Sequence, residues 1–266
     1  TTLREVFAKG EKPIEILWYR EVERKHPNTL VIKAFDEEDR IIASRTYYSV
    51  GGGKIVIEGE ENPASVSVYP PELTKMSAIL EYCNKEGLQL WEFVLEVEGK
   101  EILTSMKEVW GVMSDSVERG IEEEGVLPGG LKLPRKAHSY FLKASKGAYP
   151  LDDSALALSY ALAVSEENAS GNLVVTAPTC GSAGVLPGVL YYYAKQKNAG
   201  KIRILRALLT AGLVGNLVKT NGSISGAEVG CQGEIGVACA MAGAAAAQLN
   251  GGSTRLFSRG FRPARR

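Results

Sequence analysis

The sequence predicts an α+β fold, in which a small N-terminal α/β piece precedes a mainly α-helical domain. Up to residue 65, short runs of β-branched and aromatic residues alternate with turn residues. Beyond Pro70-Pro71, apolar residues recur at helical spacing instead. We therefore expect a small α/β piece over residues 1–65, a helical domain over 66–252 and a separate tail over 253–266. Hydrophobic residues make up 45% of the 266 residues and charged residues 23%, which excludes a disordered or fibrous chain.

Three strands are predicted in the N-terminal piece. Residues 29–34 and 40–48 are rich in β-formers, and four acidic residues separate them at 36–39. This pattern predicts a β-hairpin. After three consecutive glycines at 51–53, residues 54–58 alternate between polar and apolar side chains, as a further strand would.

Helices are predicted for most of the chain after residue 70, separated by glycine, proline or serine. Residues 172–177 are predicted to be a short extended run, and the segments 127–135 and 222–233 are predicted to be loops. Small residues dominate the last helix, so we expect it to approach its neighbours closely and to share one helical core with them. The predicted helices cover residues 71–86, 88–98, 101–120, 153–166, 184–197, 201–219 and 235–249.

The charge balance argues against nucleic acid as a partner. Lys+Arg and Asp+Glu both number 31, so the formal net charge is +0. The last fourteen residues nevertheless hold five arginines and no acidic residue. Because this tail follows Gly251-Gly252 and has no apolar periodicity, we interpret it as foreign to the domain. Binding of the tail to nucleic acid or to an anionic membrane is the alternative.

Cysteine usage and the N-terminus indicate a cytoplasmic protein with no membrane partner. The first residues, TTLREVFAKGEK, are charged and lack the apolar core of a secretory signal. No uninterrupted run of about 18 apolar residues exists. In a reducing compartment the four cysteines remain thiols. Cys83 and Cys239 lie among apolar or small residues and are predicted to be buried in the core.

The first candidate site is the segment 221–239, NGSISGAEVGCQGEIGVAC. Glycines, serines, two carboxylates and Cys231 are crowded there ahead of a predicted helix, and the first N–H groups of a helix attract anions. A cysteine in such a place suits a thiolate ligand or a nucleophile. The alternative is a loop whose glycines permit sharp turns and nothing more.

A second segment of this kind is TAPTCGSAGVLP, residues 176–187. It joins the extended run to a helix and adds hydroxyl groups to another helix start. Cys180 would need a histidine partner to act as a papain-like nucleophile, and no spacing rule links it to the two histidines of the chain. We expect the two glycine-rich segments to meet, with Gly181 close to Gly226, and to form one pocket for a carboxylate.

The string SVGGGK, residues 49–54, is the third candidate. A phosphate-binding P-loop requires G-x-x-x-x-G-K-[ST], but Ile55 follows Lys54 here. A glycine turn between strands is therefore the favoured interpretation. A pyridoxal-phosphate lyase that uses Lys54 is a weaker alternative.

Four strings in this sequence occur in one order and carry a specific resemblance, with GAEVGCQGE the most specific part. They are TYYSVGGG (46–53), EGVLPGGLKLPRKA (124–137), TAPTCGSAGVLPGVLYYY (176–193) and SISGAEVGCQGEIGVACAMA (223–242). From about residue 40 to 252 the chain resembles the iron–sulfur L-serine dehydratases, also called L-serine ammonia-lyases.

The resemblance implies a catalytic site built on a [4Fe–4S] cluster. Three cysteines hold the cluster in this family, Cys231 matches the first of them, and one iron stays open as a Lewis acid. The implied reaction removes water from L-serine and gives pyruvate and ammonia, in a homo-oligomer. Glu228 and Glu234 flank Cys231 and are the candidate acid or base. Candidate substrate-binding residues come from both glycine-rich segments: Thr179, Gly181, Ser223, Ser225 and Gly226.

The sequence departs from the family's pattern at both ends. An N-terminal S-S-S-H-T motif is missing, and the second and third cluster cysteines would lie beyond the point where the basic tail begins. Cys180 stands where many members have asparagine, and Ala183 where they have cysteine. We therefore expect an internal portion of a serine dehydratase with an incomplete ligand set, and no activity from this chain alone. The alternative to an enzyme is an inactive family member that binds substrate or a partner chain only.

Overall fold

The structure is a computed structural model that describes residues 17, 25–26, 28–50, 55–60, 69–146, 152–252 and 254. The chain divides into two compact units, Thr1–Val66 and Ser67–Arg266. The described part of the first unit contains a β-sheet, and that of the second unit contains α-helices. The predicted α+β class, with a mostly helical second part, is confirmed.

Three antiparallel strands form the sheet in the order β1-β2-β3. They are β1 (Thr29–Phe35), β2 (Ile41–Ser49) and β3 (Ile55–Ile57). Asp36 closes the hairpin between the first two strands, because its Oδ1 accepts a hydrogen bond from the N–H of Arg40 at 2.9 Å. The predicted hairpin and third strand are thus confirmed.

Eight α-helices lie in the described part of the second unit. The sequence predicts seven of them and misses α4. In chain order they are α1 (Met76–Glu86), α2 (Leu90–Glu98), α3 (Ile102–Glu122), α4 (Ala137–Ser145), α5 (Asp152–Ala169), α6 (Val185–Gln196), α7 (Lys201–Asn221) and α8 (Gly226–Leu249).

Besides small differences at helix ends, three predicted features differ from the structure. The proline-led start at 71 forms only a 3₁₀ turn, Pro71–Leu73, because Lys75 is extended (φ −120°, ψ 141°) and α1 begins after it. Residues 172–177 form no strand among the described residues. The predicted loop 222–233 is wrong in its second part, since α8 already begins at Gly226. Its glycines suggested a loop, but they serve helix contacts instead, as described below.

A large apolar cluster joins α1, α2 and α6 to the paired helices α7 and α8. The small residues of α8 permit this close packing: a Cβ placed on Gly215 of α7 would lie 3.0 Å from Met241 Sδ of α8. The prediction that residues 235–249 form a core helix is confirmed. The predicted single core is instead two apolar clusters, because the buried residues of α5, Leu156, Tyr160 and Val164, belong to the second. Fully buried side chains at the centre of the large cluster are Ile79, Leu90, Phe93, Leu186, Leu190, Ile204, Leu209 and Leu213.

Backbone contacts fix α3, α5 and α6 against one another. A Cβ on Gly120 of α3 would lie 2.9 Å from the Cα of Ala163, and a Cβ on Gly188 of α6 would lie 2.9 Å from the Cα of Ala161. Both alanines belong to α5. Larger side chains at either glycine would force these helices apart. Because α6 follows the segment 176–184 directly, this packing also fixes where that segment ends.

A buried ion-pair network anchors the loop between α3 and α4. The carboxylate of Glu167, on α5, is fully buried and accepts hydrogen bonds at 3.0 Å from Arg119 Nε, Arg135 Nη1 and Asn172 Nδ2. The neighbouring carboxylate of Glu166 accepts the N–H of Lys136 at 2.7 Å. This bond holds the start of α4, which explains why local sequence signals miss that helix.

One described helix, Glu228–Leu249, is long and apolar enough to cross a membrane by length and composition. The same helix packs along α7 and against α6, and its apolar composition suits that packing. Because a packed helix of a globular domain meets the same criteria, this is weak evidence for a membrane span.

Glu167→Ala is expected to destabilise the chain by about 3–5 kcal/mol, because it leaves the buried Arg135 guanidinium without its counter-charge. Urea unfolding followed by circular dichroism measures this loss. Asp153→Asn is the control, because it removes one partner of the exposed Lys197–Asp153 pair and should scarcely move the midpoint. Equal midpoints for the two variants would contradict a stabilising role for the network.

Candidate functional site

The chain enters α8 through a short serine turn. The Oγ of Ser223 accepts the N–H of Ser225 at 3.0 Å, and the carbonyl of Ser225 accepts the N–H groups of Glu228 at 3.0 Å and Val229 at 2.9 Å. Ser225 is therefore the N-cap residue of α8, with extended backbone angles (φ −80°, ψ 123°). The free N–H groups of the first turn make this end attractive to anions.

A kink at Gly230 divides α8 into two segments. Gly230 has φ 67° and ψ 176°, a region that only glycine adopts readily. Next to the kink, a Cβ on Gly233 would lie 2.6 Å from the Cβ of Val229, so the bend leaves room for hydrogen only. The glycines of the string GAEVGCQGE thus shape a bent helix and not a loop.

The kink brings the carboxylate of Glu234 beside the start of the helix. A Cβ on Gly226 would lie 2.7 Å from both Cδ and Oε1 of Glu234. In a straight helix these two residues would be about 12 Å apart along the axis, too far for a glutamate side chain to bridge. The φ of Gly226 is not in the left-handed range, so its backbone conformation does not require glycine. Glycine is needed there because the Glu234 carboxylate occupies the space of a side chain.

The same carboxylate also touches the other glycine-rich segment. Glu234 Oε2 lies 3.2 Å from the position of a Cβ on Gly181. Since a Cα–Cβ bond adds only about 1.5 Å at each end, the Cα atoms of Gly181 and Gly226 are within about 10 Å of each other. The prediction that the two segments meet is confirmed.

Internal hydrogen bonds shape the segment that precedes α6. The hydroxyls of Thr179 and Ser182 lie 3.0 Å apart, and Ser182 Oγ donates to the carbonyl of Ala177 at 3.3 Å. Both side chains are buried, whereas Cys180 and Gly181 are exposed between them. Thr179 therefore shapes this segment, and Gly181 faces the space that Glu234 shares.

The hydroxyl of Ser225 is buried without a partner. Ser225 is 6% exposed, and its Oγ makes no hydrogen bond to any described residue. A buried hydroxyl without a hydrogen bond costs about 1–3 kcal/mol. Such a group at the N-terminus of a helix is suited to bind the oxygen of an anionic ligand.

The polar side chains of the predicted site differ in whether described residues already bind them. Ser223 and Thr179 have their hydroxyls in local hydrogen bonds, while that of Ser225 is unpaired. Glu234 reaches both glycine-rich segments, but Glu228 is an exposed residue of the first turn. The substrate-binding and acid–base assignments themselves stay predictions.

Sequence reasoning missed the bend and the contact it creates. Glycines at 226, 230 and 233 recur at intervals of four and three residues, which is helical spacing. This spacing was the signal that a helix already begins inside the predicted loop. The contact between Glu234 and Gly181 had no signal in the sequence, because it depends on how α6 and α8 pack.

The four cysteines are free thiols in different surroundings. Cys83 is buried as predicted, and desolvation, followed by the charge of Glu96, raises the pKa of its thiol to about 11. The prediction that Cys239 is buried is wrong. Like Cys231, it is exposed, and alanine neighbours on both sides do not reveal which face of the helix is covered.

The described residues do not hold an iron–sulfur cluster by themselves. No three His, Cys, Asp or Glu side chains among them come together in a group that could hold a metal. Cys231 is accessible in the second segment of α8, not in a loop ahead of the helix as predicted. Lys54, the residue on which a pyridoxal-phosphate site would depend, lies outside the described residues.

A cavity of about 310 Å³ lies elsewhere among the described residues, between the N-terminus of α1 and the C-terminus of α7. Its wall is apolar and includes none of the candidate site residues. Residues that line it are Met76, Val214, Leu217, Val218, Asn221 and Gly222. The candidate site is thus defined by its polar groups and not by the size of a cavity.

Fold and site together define a helical domain in which one helix begins with a buried hydroxyl that no described residue pairs with and carries an accessible thiol further along. The chain belongs to the serine dehydratase alpha chain family, whose family model matches residues 31–261. That match includes the three strands from residue 31 onward and the first part of the basic tail.

Curated relatives agree with this family. The chain is 42% identical to an L-serine dehydratase of Haemophilus influenzae over 251 residues, which is 90% of this chain and 55% of the relative. It is 42% identical to an L-serine dehydratase of Streptomyces coelicolor, covering 86% of this chain and 52% of the relative. It is 37% identical to an L-serine dehydratase of Helicobacter pylori, covering 85% of this chain and 52% of the relative. The chain spans about half the length of the curated relatives it matches.

Gly230→Ala is expected to destabilise the chain by about 1–3 kcal/mol, because an alanine at φ 67°, ψ 176° is strained. Urea unfolding gives the free energy. The matched control is Gly236→Ala, in the same helix, where a Cβ would meet no atom within 4 Å. Alanine is favoured over glycine inside a helix, so the control should be neutral or stabilising. A Gly230→Ala variant as stable as the control would mean that the kink does not need glycine.

Proposed function

We propose that this chain supplies the substrate-binding part of an L-serine dehydratase, an ammonia-lyase that converts L-serine to pyruvate and ammonia with loss of water. Family membership and the names of the curated relatives support the reaction. Because those relatives are about twice as long, the activity is proposed for the whole protein. Nothing in the structure favours the alternative of an inactive family member.

One observation supports substrate binding at this place: the unpaired, buried hydroxyl of Ser225 at the N-terminus of α8. L-Serine carries a carboxylate, which the first N–H groups of a helix and an N-cap hydroxyl bind together. Gly226 and Gly181 lack side chains, and the Glu234 carboxylate lies where a Cβ on either residue would stand. We propose that the Ser225 hydroxyl and the N–H groups of the first turn hold the serine carboxylate, with Gly226 and Gly181 shaping the site beside them.

The hydroxyls of Thr179 and Ser223 have a different part in this proposal. Each is engaged in a hydrogen bond within its own segment. We propose that they shape the pocket and fix the directions of the backbone N–H groups around it. The pocket is then largely formed before the ligand arrives, which reduces the entropy lost on binding.

A [4Fe–4S] cluster is proposed for the complete enzyme, with Cys231 as one ligand. The exposure of Cys231 beside the proposed pocket supports this role. The described residues supply no complete ligand set for it. A cytoplasmic location is proposed because all four cysteines are free thiols. A homo-oligomeric state also remains a proposal.

Ser225→Ala is expected to weaken L-serine binding by about 10–100-fold, since a hydrogen bond to a charged group contributes about 1.5–3 kcal/mol. Isothermal titration of the 266-residue chain with L-serine measures the dissociation constant. Ser116→Ala is the control, because this buried hydroxyl donates only to Met113 within α3. No L-serine binding by the folded parent chain, or equal binding by Ser225→Ala, would overturn the proposed binding site.

The isolated 266-residue chain is expected to hold no stoichiometric cluster after anaerobic treatment with iron and sulfide. Three thiolates are needed, but Cys83 is buried and no ligand trio exists among the described residues. Iron and acid-labile sulfide per chain, together with pyruvate formed from L-serine, measure the outcome. Four irons per chain and pyruvate formation would show that the chain completes the site by itself.

A further inference from the structure

The carboxylate of Glu234 has no cationic partner in the part of the chain that the structure describes. No described lysine, arginine or histidine pairs with it, and no described group donates a hydrogen bond to it. The residue is nevertheless half-buried, and its carboxylate is lodged against the backbone of Gly226 and Gly181. A carboxylate that loses part of its hydration needs a compensating partner.

The position of this carboxylate complements that of the unpaired hydroxyl. Ser225 immediately precedes Gly226, so the hydroxyl and the Glu234 carboxylate flank the same helix start. One group is suited to an anion, and the other is suited to a cation. An α-amino acid carries an ammonium group and a carboxylate on the same carbon atom. It therefore presents a cation and an anion close together.

We propose that Glu234 binds the ammonium group of the amino-acid substrate, while Ser225 and the N-terminus of α8 bind its carboxylate. This inference rests on the proposed function and assigns a specificity-determining role within it. The bond is a charge-assisted hydrogen bond from the ammonium N–H to the Glu234 carboxylate. Amino acids are thereby selected over hydroxy acids, which have the same carboxylate but no ammonium group.

The kink at Gly230 makes this role specific to Glu234. Only the bend places the carboxylate beside Gly226, whereas Glu228 is exposed on the first turn. Two other roles are compatible with the position. A helix cap would stabilise α8 and would affect every ligand alike. A general base would change turnover and leave discrimination between bound ligands unchanged.

Titration of the chain with L-serine and with L-glycerate separates these roles, because glycerate replaces the ammonium group with a hydroxyl. The parent chain is expected to bind L-serine at least about tenfold more tightly than L-glycerate. Glu234→Gln should weaken L-serine binding about 10–100-fold and change L-glycerate binding by less than about threefold. Urea unfolding of the same variant checks that it is folded.

Glu228→Gln is the matched comparison, since it removes the same charge from the same helix without removing the contact. It is expected to change the affinity for both ligands by the same factor, so that the preference for L-serine over L-glycerate is kept. If Glu228→Gln also lost the preference for L-serine, the preference would depend on the overall negative charge of the helix and not on a contact with Glu234. That result would overturn the assignment of Glu234.

The remaining outcomes distinguish this inference from the proposed function. If the parent chain binds neither ligand, the proposed binding site itself fails. If both ligands bind and Glu234→Gln keeps the preference for L-serine, the site stands and the ammonium assignment fails. If Glu234→Gln weakens both ligands equally and lowers the unfolding midpoint, Glu234 is a helix cap and the inference is wrong.

Discussion

The bend of α8 at Gly230 is the constraint on which the candidate site depends. It places the Glu234 carboxylate beside Gly226, nearer than a straight helix would allow. Cys231, just beyond the bend, is exposed. Two features of the string GAEVGCQGE thus follow from one backbone conformation: the glycine at the bend and the glycine beside the carboxylate.

The packing of α5 controls the other half of the site. Close backbone contacts through Gly120 and Gly188 hold α3 and α6 against this helix, and α6 begins where the segment 176–184 ends. At its C-terminal end, Glu166 and Glu167 bind the loop that leads into α4. That loop contains the string EGVLPGGLKLPRKA, so Arg135 has a structural explanation: its guanidinium pairs with the buried carboxylate of Glu167 and anchors the loop.

The candidate site combines, at one end of a helix, groups that attract an anion with a group that attracts a cation. The unpaired hydroxyl and N–H groups of the first turn attract an anion, and the unpaired carboxylate of Glu234 attracts a cation. Neither requirement is met by described residues of the chain. A zwitterion satisfies both, which is consistent with the amino-acid chemistry named for the relatives. Among the described residues, no group of His, Cys, Asp or Glu side chains could hold a metal ion.

The sequence by itself determined the α+β class, three strands, most helix positions and the family. These depend on local patterns, namely period-two alternation, helical spacing and an uninterrupted specific string. It also indicated that the two glycine-rich segments would meet. It did not determine α4, whose start is held by Glu166 from a helix about thirty residues away in the chain.

Only the tertiary structure decided where the helix begins, which cysteine is covered and which glutamate reaches the site. A glycine-rich segment has the same local signal in a loop and in a tightly packed helix, because glycine permits both. The neighbours of Cys239 are small on every side, so only the tertiary structure shows that it is exposed. Glu228 and Glu234 are equivalent by distance from Cys231 in sequence. The physical reason that they differ is a single backbone torsion at Gly230, which moves one carboxylate and leaves the other on the surface.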